Sequence, residues 1–291
     1  MNFKNAKELL ELCENNNLSI SSVMLQREIQ LSECSTETIR SQMKRVWSVM
    51  KESATTPLEQ PLKSVGGLIG GEAQLLYKNT SQGASLCGNV LQTAITYSMA
   101  VLEVNASMGV IVAAPTAGSS GILPGLLLSL QEHYHFNDEE IISSLFNAGA
   151  IGYLAMRNAT VAGAVGGCQA EVGIASAMAA SACVELLGGT PAQCLNAGST
   201  VLMNMLGLVC DPVAGLVEYP CQLRNASGVS NALIAANIAL SGIPQLIPFD
   251  EMLSTMYAVG KRIPVELRET ALGGCAATPS ACNACNAHCN Q

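Results

Sequence analysis

The sequence predicts an all-α fold: a compact, mostly helical domain with glycine-rich active-site loops. Most segments from residue 75 onward are rich in Ala, Leu, Met, Ser and Gly and poor in β-branched residues, which favours helices over strands. Apolar residues show little period-2 alternation, and strands and helices do not alternate regularly. In the N-terminal part, apolar residues instead recur at helical offsets, as described next.

Residues 1–63 are predicted to form N-terminal surface helices. After Ser35, apolar side chains at offsets of 4, 7 and 11 mark one helical face: Ile39, Met43, Val46 and Met50. The Thr56-Pro57 pair is expected to end this helix. A glycine-rich loop follows at 63–72, the short apolar run 108–114 suits a strand, and 174–187 is an Ala-rich helix. We therefore divide the chain into the N-terminal helices, a helical domain at 64–280 and a cysteine-rich tail at 281–291.

Composition excludes several classes of protein. Of the 291 residues, 49% are apolar and only 12% are charged, which excludes a disordered chain. The 12 cysteines are about 4% of the residues, whereas small disulfide scaffolds contain more than about 8–10% cysteine, so that class is excluded too. The net charge of −8, with no basic block, argues against nucleic-acid binding.

The N-terminal residues 1–14 are charged and amphipathic and lack the features of a secretory signal, so we expect a cytoplasmic protein. In that compartment the cysteines are expected to be buried, catalytic or metal-bound rather than disulfide-bonded. Three stretches carry no charge and raise the alternative of a membrane protein: 104–131, 186–210 and 225–249. Proline, glycine and polar residues interrupt each of them, so buried helices are the preferred interpretation and no membrane partner is expected.

Three cysteines lie in segments suited to chemistry. Cys168 follows two glycines and precedes a predicted helix, whose dipole would stabilise a thiolate. Cys210 and Cys221 lie eleven residues apart, each next to or near a proline, as in a rigid ligand loop. The alternative for all three is that they are structural cysteines of the core.

Two further segments suggest binding. In 114–121, glycines and hydroxyls lead into a helix, so that Thr116, Gly118, Ser119 and Ser120 would cradle a carboxylate or phosphate; an ordinary helix-capping loop is the alternative. The tail spacing Cys282-x2-Cys285-x3-Cys289 is typical of metal or iron–sulfur ligation, unless these cysteines are incidental. His133 and His135 are expected to face solvent.

Taken together, five ordered segments resemble the α subunit of bacterial iron–sulfur L-serine dehydratase: GGLIGGE (66–72), APTAGSSGILPG (114–125), GGCQAEVG (166–173), CDPVAGLVEYPC (210–221) and RETALGG (268–274). The resemblance implies a carbon–nitrogen lyase that converts L-serine to pyruvate and ammonia without pyridoxal phosphate, in amino-acid degradation and gluconeogenesis. It also implies that 64–280 is a mostly helical iron–sulfur catalytic domain with a [4Fe–4S] cluster on Cys168, Cys210 and Cys221. One iron of that cluster would act as a Lewis acid for loss of the hydroxyl. The loop at 116–121 would then hold the substrate carboxylate.

The resemblance further implies a hetero-oligomer, because two-chain members of the family require a β subunit. The general base is not identifiable in this chain and is expected on that partner. Single-chain members carry a cysteine near the C-terminus that serves as a removable fourth ligand. Here Cys289 is the first choice for that role, ahead of Cys285 and Cys282.

Two alternatives to a serine dehydratase remain open at this point. The first is a related iron–sulfur lyase that acts on threonine or cysteine. The second is a non-enzymatic metal-binding or redox protein that uses the tail cysteines. Metal retention after deletion of residues 281–291 separates the second alternative from the lyases, and a substrate panel separates the lyases from one another.

Overall fold

A computed structural model describes residues 1–81 and 85–289, with side chains for 1–80 and 85–284, and most of the described chain is helical. Thirteen α-helices and no strand occur within these ranges, which confirms the predicted fold class. The helices are α1 Ala6–Asn16, α2 Ile20–Ser32, α3 Thr36–Glu59, α4 Glu72–Ser81, α5 Gly88–Ala106, α6 Ile122–Tyr134, α7 Asp138–Asn158, α8 Gly163–Gly166, α9 Ile174–Leu186, α10 Pro191–Asn204, α11 Cys221–Leu240, α12 Phe249–Gly260 and α13 Pro279–Cys289.

The central helix is α9, which packs against α6, α7, α10 and α11. All eleven residues from Ile174 to Val184 are buried, although eight of them are the small residues Ala, Ser and Cys. A helix surrounded on all sides needs no polar face, and small side chains let its neighbours approach closely. Its serine hydroxyls are satisfied locally: that of Ser181 donates to the Asn147 side chain at 2.6 Å. The low charge of the sequence therefore reflects helices buried inside the domain.

Glycines let α6 lie directly on α5. A Cβ added to Gly125 would lie 2.8 Å from the Ala94 carbonyl oxygen, and one added to Gly121 would overlap the Ser98 carbonyl. Only glycine allows this approach. It fixes the start of α6, and with it the loop that precedes α6.

The N-terminal helices are joined to the same core. Phe3, Leu9 and Trp47 are fully buried in the apolar cluster that also contains α9. The Asp250 carboxylate accepts hydrogen bonds from the backbone N–H groups of Ala6 at 2.8 Å and Lys7 at 3.0 Å, so α12 supplies the anion at the N-terminus of α1. The proposed division at residue 63 remains a prediction.

Two local expectations are wrong. Residues 108–114 form no strand: in the described chain no neighbouring strand pairs with them, and the segment connects α5 to α6 without regular secondary structure. The helix α3 does not stop at Thr56-Pro57 but continues to Glu59, because a proline in the last turn leaves only one hydrogen bond unmade. The Ser35 cap and the predicted helix at 174–187 are confirmed.

Of the helices described, none combines the length and the apolar character needed to cross a bilayer.

Candidate active site

Cys168, Cys210 and Cys221 lie in the interior, exposing 3%, 4% and 9% of their surface. A hydrogen bond from the Cys210 thiol lowers the pKa of Cys168, and the charge of Arg224 acts in the same direction. The same hydrogen bond raises the pKa of Cys210. Burial raises the pKa of Cys221 to about 12. Of the three thiols, Cys168 is thus the one whose surroundings favour the thiolate, the form in which cysteine binds metals.

Gln169 fastens the Cys168 segment to the segment before Cys210. Its backbone N–H donates to the Leu208 carbonyl at 3.0 Å, and its side-chain oxygen accepts from the Gly207 N–H at 2.8 Å. Gly167 has φ of +76°, and a Cβ there would lie 2.8 Å from the Leu208 carbonyl. The glycines before the cysteine therefore serve the close backbone approach that the sequence predicts.

A short parallel bridge brings a distant acidic residue to Cys210. The Cys210 N–H donates to the Leu267 carbonyl at 2.9 Å, and the Glu269 N–H donates to the Cys210 carbonyl at 2.6 Å. As a result, a carboxylate oxygen of Glu171, one of Glu269 and the Cys210 sulfur lie within 4.8 Å of one another. Burial raises the pKa of Glu171.

Arg224 is the cation of this region. Its guanidinium pairs with the buried Asp211 carboxylate at 2.7 Å and donates to the Val209 carbonyl at 2.9 Å. The second Asp211 oxygen accepts from the Cys275 N–H at 2.6 Å. The pair holds a positive charge near Cys168, which is the electrostatic reason for part of the lowered pKa of that thiol.

The 116–120 loop lies beside the same carboxylates. The hydroxyls of Thr116 and Ser119 are 3.1 Å apart, and Thr116 also bonds to Glu171. Ser119 and Ser120 are fully buried, and the Ser120 hydroxyl donates to the Ala117 carbonyl at 2.7 Å. The proposed anion-binding role of this loop stays a prediction; its position before α6 is confirmed.

Asn225 joins this loop to the cysteines. Its side-chain N–H groups donate to the carbonyls of Gly118 at 2.8 Å and Cys221 at 2.9 Å, and its oxygen accepts from the Gly121 N–H at 3.0 Å. The amide uses both its donors and its acceptor and is fully buried. One residue thus sets the spacing between the loop and the start of α11.

The tail is only partly described. Cys282 is exposed on α13, and its thiol points to the Ala276 carbonyl at 3.9 Å. The side chains of Cys285 and Cys289 lie outside the described residues, so the choice of a fourth ligand among the tail cysteines stays a prediction. His133 and His135 are exposed, as expected.

Several polar residues of this region were missed from the sequence, although the motifs contain them. Glu171 lies within GGCQAEVG, Asp211 and Glu218 within CDPVAGLVEYPC, and Glu269 within RETALGG. Only 12% of the residues are charged, so a charged residue inside an otherwise apolar motif stands out. This was the signal from which a role for these residues could have been predicted. Arg224 and Asn225 carried no comparable signal, because they begin a helix whose buried side is known only from the fold.

The family model of the serine dehydratase alpha chain matches residues 15–276. The chain belongs to this family. It is 49% identical over 278 residues to the probable L-serine dehydratase, alpha chain, of Bacillus subtilis, covering 96% of this chain and 92% of that one. It is 47% identical to the L-serine dehydratase, alpha chain, of Peptoniphilus asaccharolyticus, covering 93% of each. The L-serine dehydratase TdcG of Escherichia coli is 38% identical over 94% of this chain but only 61% of its own length.

Proposed function

We propose that this chain is the cluster-bearing alpha chain of an L-serine dehydratase, which converts L-serine to pyruvate and ammonia. Family membership and the names of its relatives support the reaction. The observation that carries the proposal is the meeting of Cys168, Cys210 and Cys221, which are 42 and 11 residues apart in sequence, beside a buried loop of hydroxyls.

The donor set suits an iron–sulfur cluster on these three cysteines. Three thiols are the ligands that such clusters take, and Arg224 offsets part of their negative charge as thiolates. The Gly163 backbone packs tightly against this group: a Cβ there would lie 2.9 Å from the Cys210 sulfur and 2.5 Å from a Glu171 oxygen, so a larger residue would displace them. When bound, a [4Fe–4S] cluster with three protein ligands supplies a Lewis-acidic iron that stabilises loss of the substrate hydroxyl.

The chain's own residues bind and orient the amino acid. The Thr116 hydroxyl and the N–H groups of 116–118 receive the carboxylate before the beginning of α6. The N–H groups of Ser119 and Ser120 donate instead to the carbonyls of Thr116 and Ala117 and shape the loop. The α-ammonium group needs an anionic acceptor, and the neighbouring carboxylates of Glu171 and Glu269 provide it. The limited exposure of the cysteines excludes bulk water from this end of the site.

A second chain completes the enzyme in this proposal and carries the general base. The name alpha chain, which the Bacillus subtilis relative carries, supports a partner chain. TdcG gives the same indication, because the match covers 61% of its length and leaves the other 39% outside the match. A surface beside the site presents exposed apolar side chains, which we name the apolar rim: Val65, Met108 and Val110, exposed by 75%, 83% and 76%. The Val65 N–H donates to the Ala106 carbonyl at 2.9 Å, so the loops that carry the rim touch each other. Exposed apolar side chains grouped on loops that touch each other are a feature of binding surfaces.

Anaerobic reconstitution with iron and sulfide, in the presence of the partner chain, tests the proposal. We expect about four irons per chain and pyruvate formation from L-serine. Replacing Cys168, Cys210 or Cys221 by Ala is expected to abolish both, because each removes a ligand. The matched control is Cys34→Ala, at a partly exposed position of the N-terminal part.

Two further measurements decide against the alternatives. Deletion of residues 281–291 should leave the iron in place; loss of all iron with the tail would favour a tail metal site instead. A substrate panel should show L-serine turned over faster than L-threonine and L-cysteine. Full iron content in all three cysteine variants contradicts the proposed cluster ligands.

A further inference from the structure

Glu218 is a buried carboxylate three residues before Cys221 that the function above does not use. It exposes 3% of its surface and accepts three hydrogen bonds. They come from the Ser64 hydroxyl at 2.7 Å, the Gly66 N–H at 2.7 Å and the Leu68 N–H at 2.9 Å. A carboxylate has enough lone pairs to accept all three, and this offsets the cost of burying its charge.

The loop at 64–69 is folded around this carboxylate. The Ser64 N–H donates to the Ile69 carbonyl at 3.1 Å, and the Gly67 N–H donates to the Ser64 carbonyl at 3.1 Å. A Cβ added to Gly66 would lie 2.6 Å from a Glu218 oxygen, so any larger residue there would push the Glu218 carboxylate out of its place. The GGLIGGE motif therefore includes a backbone nest for an anionic side chain of the chain itself.

Glu218 also ends a tight turn at 216–218, in which its N–H donates to the Leu216 carbonyl at 2.8 Å. The two ends of the turn face the 64–69 loop, since a Cβ on Gly66 would meet both Leu216 and Glu218. The middle residue faces the opposite loop: a Cβ on Gly118 would lie 3.3 Å from a Val217 methyl carbon. The turn is thus held between the two glycine-rich loops.

We propose that Glu218 is a positioning residue, which fixes the 216–218 turn against the 64–69 loop and thereby holds the 116–120 loop in its substrate-binding shape. Val217 lies next to Gly118, with a methyl group directly in front of the position that a Gly118 side chain would take. Asn225 holds the Gly118 carbonyl by a separate hydrogen bond. Release of Glu218 frees the first of these two supports and leaves the second in place. This inference rests on the proposed function for the identity of the substrate but not for the coupling between the loops.

The test compares Glu218→Gln and Ser64→Ala with the exposed control Glu251→Gln on α12. The Gln variant keeps one oxygen but places an amide N–H₂ near one of the N–H donors, whereas Ser64→Ala removes a single hydrogen bond. In the reconstituted complex with the partner chain, we expect Glu218→Gln to raise the KM for L-serine about tenfold or more at unchanged iron content, because misplaced binding groups cost rate and affinity. Ser64→Ala should have a smaller effect, and the control none.

Amide hydrogen exchange on the same proteins, followed at 64–69 and 116–121, tests the coupling without using activity. In Glu218→Gln we expect faster exchange in both segments, with the exchange of α9 unchanged as a check that the fold is intact. Faster exchange at 64–69 alone, or loss of iron with no change at 116–121, overturns the inference. Absence of pyruvate formation by the wild-type complex contradicts the proposed function and leaves this exchange result standing.

Discussion

At the scale of single residues, Glu103 shows how a buried acid can set a pH dependence. It lies on α5 with no exposed surface, and one of its oxygens accepts from the Ala73 N–H at 2.9 Å and the Gln222 side chain at 3.2 Å. Burial raises the pKa of Glu103 to about 7, and the carboxylate of Glu72 acts in the same direction. The folded protein therefore keeps a proton that the unfolded chain releases near pH 4.5.

A raised pKa in the folded state means that stability is lost as pH rises from about 4.5 towards and through 7. We predict that Glu103→Gln, which cannot ionise, removes this loss and is more stable than wild type at pH 8. Urea unfolding at pH 5 and pH 8 measures the effect, with the exposed Glu52→Gln as control. An equal decline in Glu103→Gln and wild type would contradict the assignment.

The site residues that could be identified from the sequence share one property. Each lies in one of the ordered motifs that carry the family resemblance. The three cysteines and the 116–120 loop belong to this group. Glu269 and Cys210 are 59 positions apart in the sequence. Backbone hydrogen bonds between their two segments bring them together. Such a contact depends on the packing of whole segments, which periodicity and spacing do not encode.

At the scale of helices, Asp138 joins three elements at the beginning of α7. Its carboxylate accepts from Trp47 at 3.1 Å and Lys51 at 2.9 Å on α3, and from Gln131 at 2.9 Å on α6. The hydrogen bond from Gln131, followed by that from Lys51, lowers the pKa of Asp138 to about 2. A lowered pKa contributes stability above the unfolded value of 3.8, and this contribution is lost as pH falls through about 2.

We predict that Asp138→Asn lowers the free energy of unfolding at pH 6 by roughly 1 kcal/mol or less, because the ion pair with Lys51 is partly exposed. The variant should also lose stability less steeply than wild type between pH 4 and pH 2. Urea unfolding across this range measures both effects, with the exposed Glu11→Gln as control. A variant as acid-sensitive as wild type would show that other carboxylates dominate acid unfolding.

Helix existence followed from the sequence more readily than helix ends did. The Ser35 cap and the face through Ile39 and Met50 were predictable because both signals are local. The end of α3 was misplaced because a proline near the C-terminus of a helix costs little there. The apolar run 108–114 was misread because a strand needs a neighbouring strand, and local sequence does not say whether one is present.

At the scale of the whole molecule, the apolar rim is a group of exposed side chains that has no packing role within the described part of the chain. Met108 adopts φ of +62°, an uncommon conformation for a side chain of this size, and its exposed surface is larger than that of Val65 or Val110. The rim lies next to Gly66, which contacts Glu218 and so lies close in structure to Cys221. In TdcG the matching part is joined to further sequence, because the match covers 61% of that chain. We therefore take the partner chain of the proposed enzyme as the protein that binds the rim.

We predict that Val110→Glu and Met108→Glu each weaken binding of the partner chain about tenfold or more, because a charge buried in an apolar interface is costly. The matched control is Leu246→Glu, at a 91% exposed apolar position on the loop between α11 and α12. Size-exclusion chromatography and calorimetric titration with the purified partner chain measure the effect, and unchanged circular dichroism shows that the variants fold. Since partner binding does not require turnover, a rim variant that binds like wild type would remove the rim from the interface even if pyruvate formation is lost.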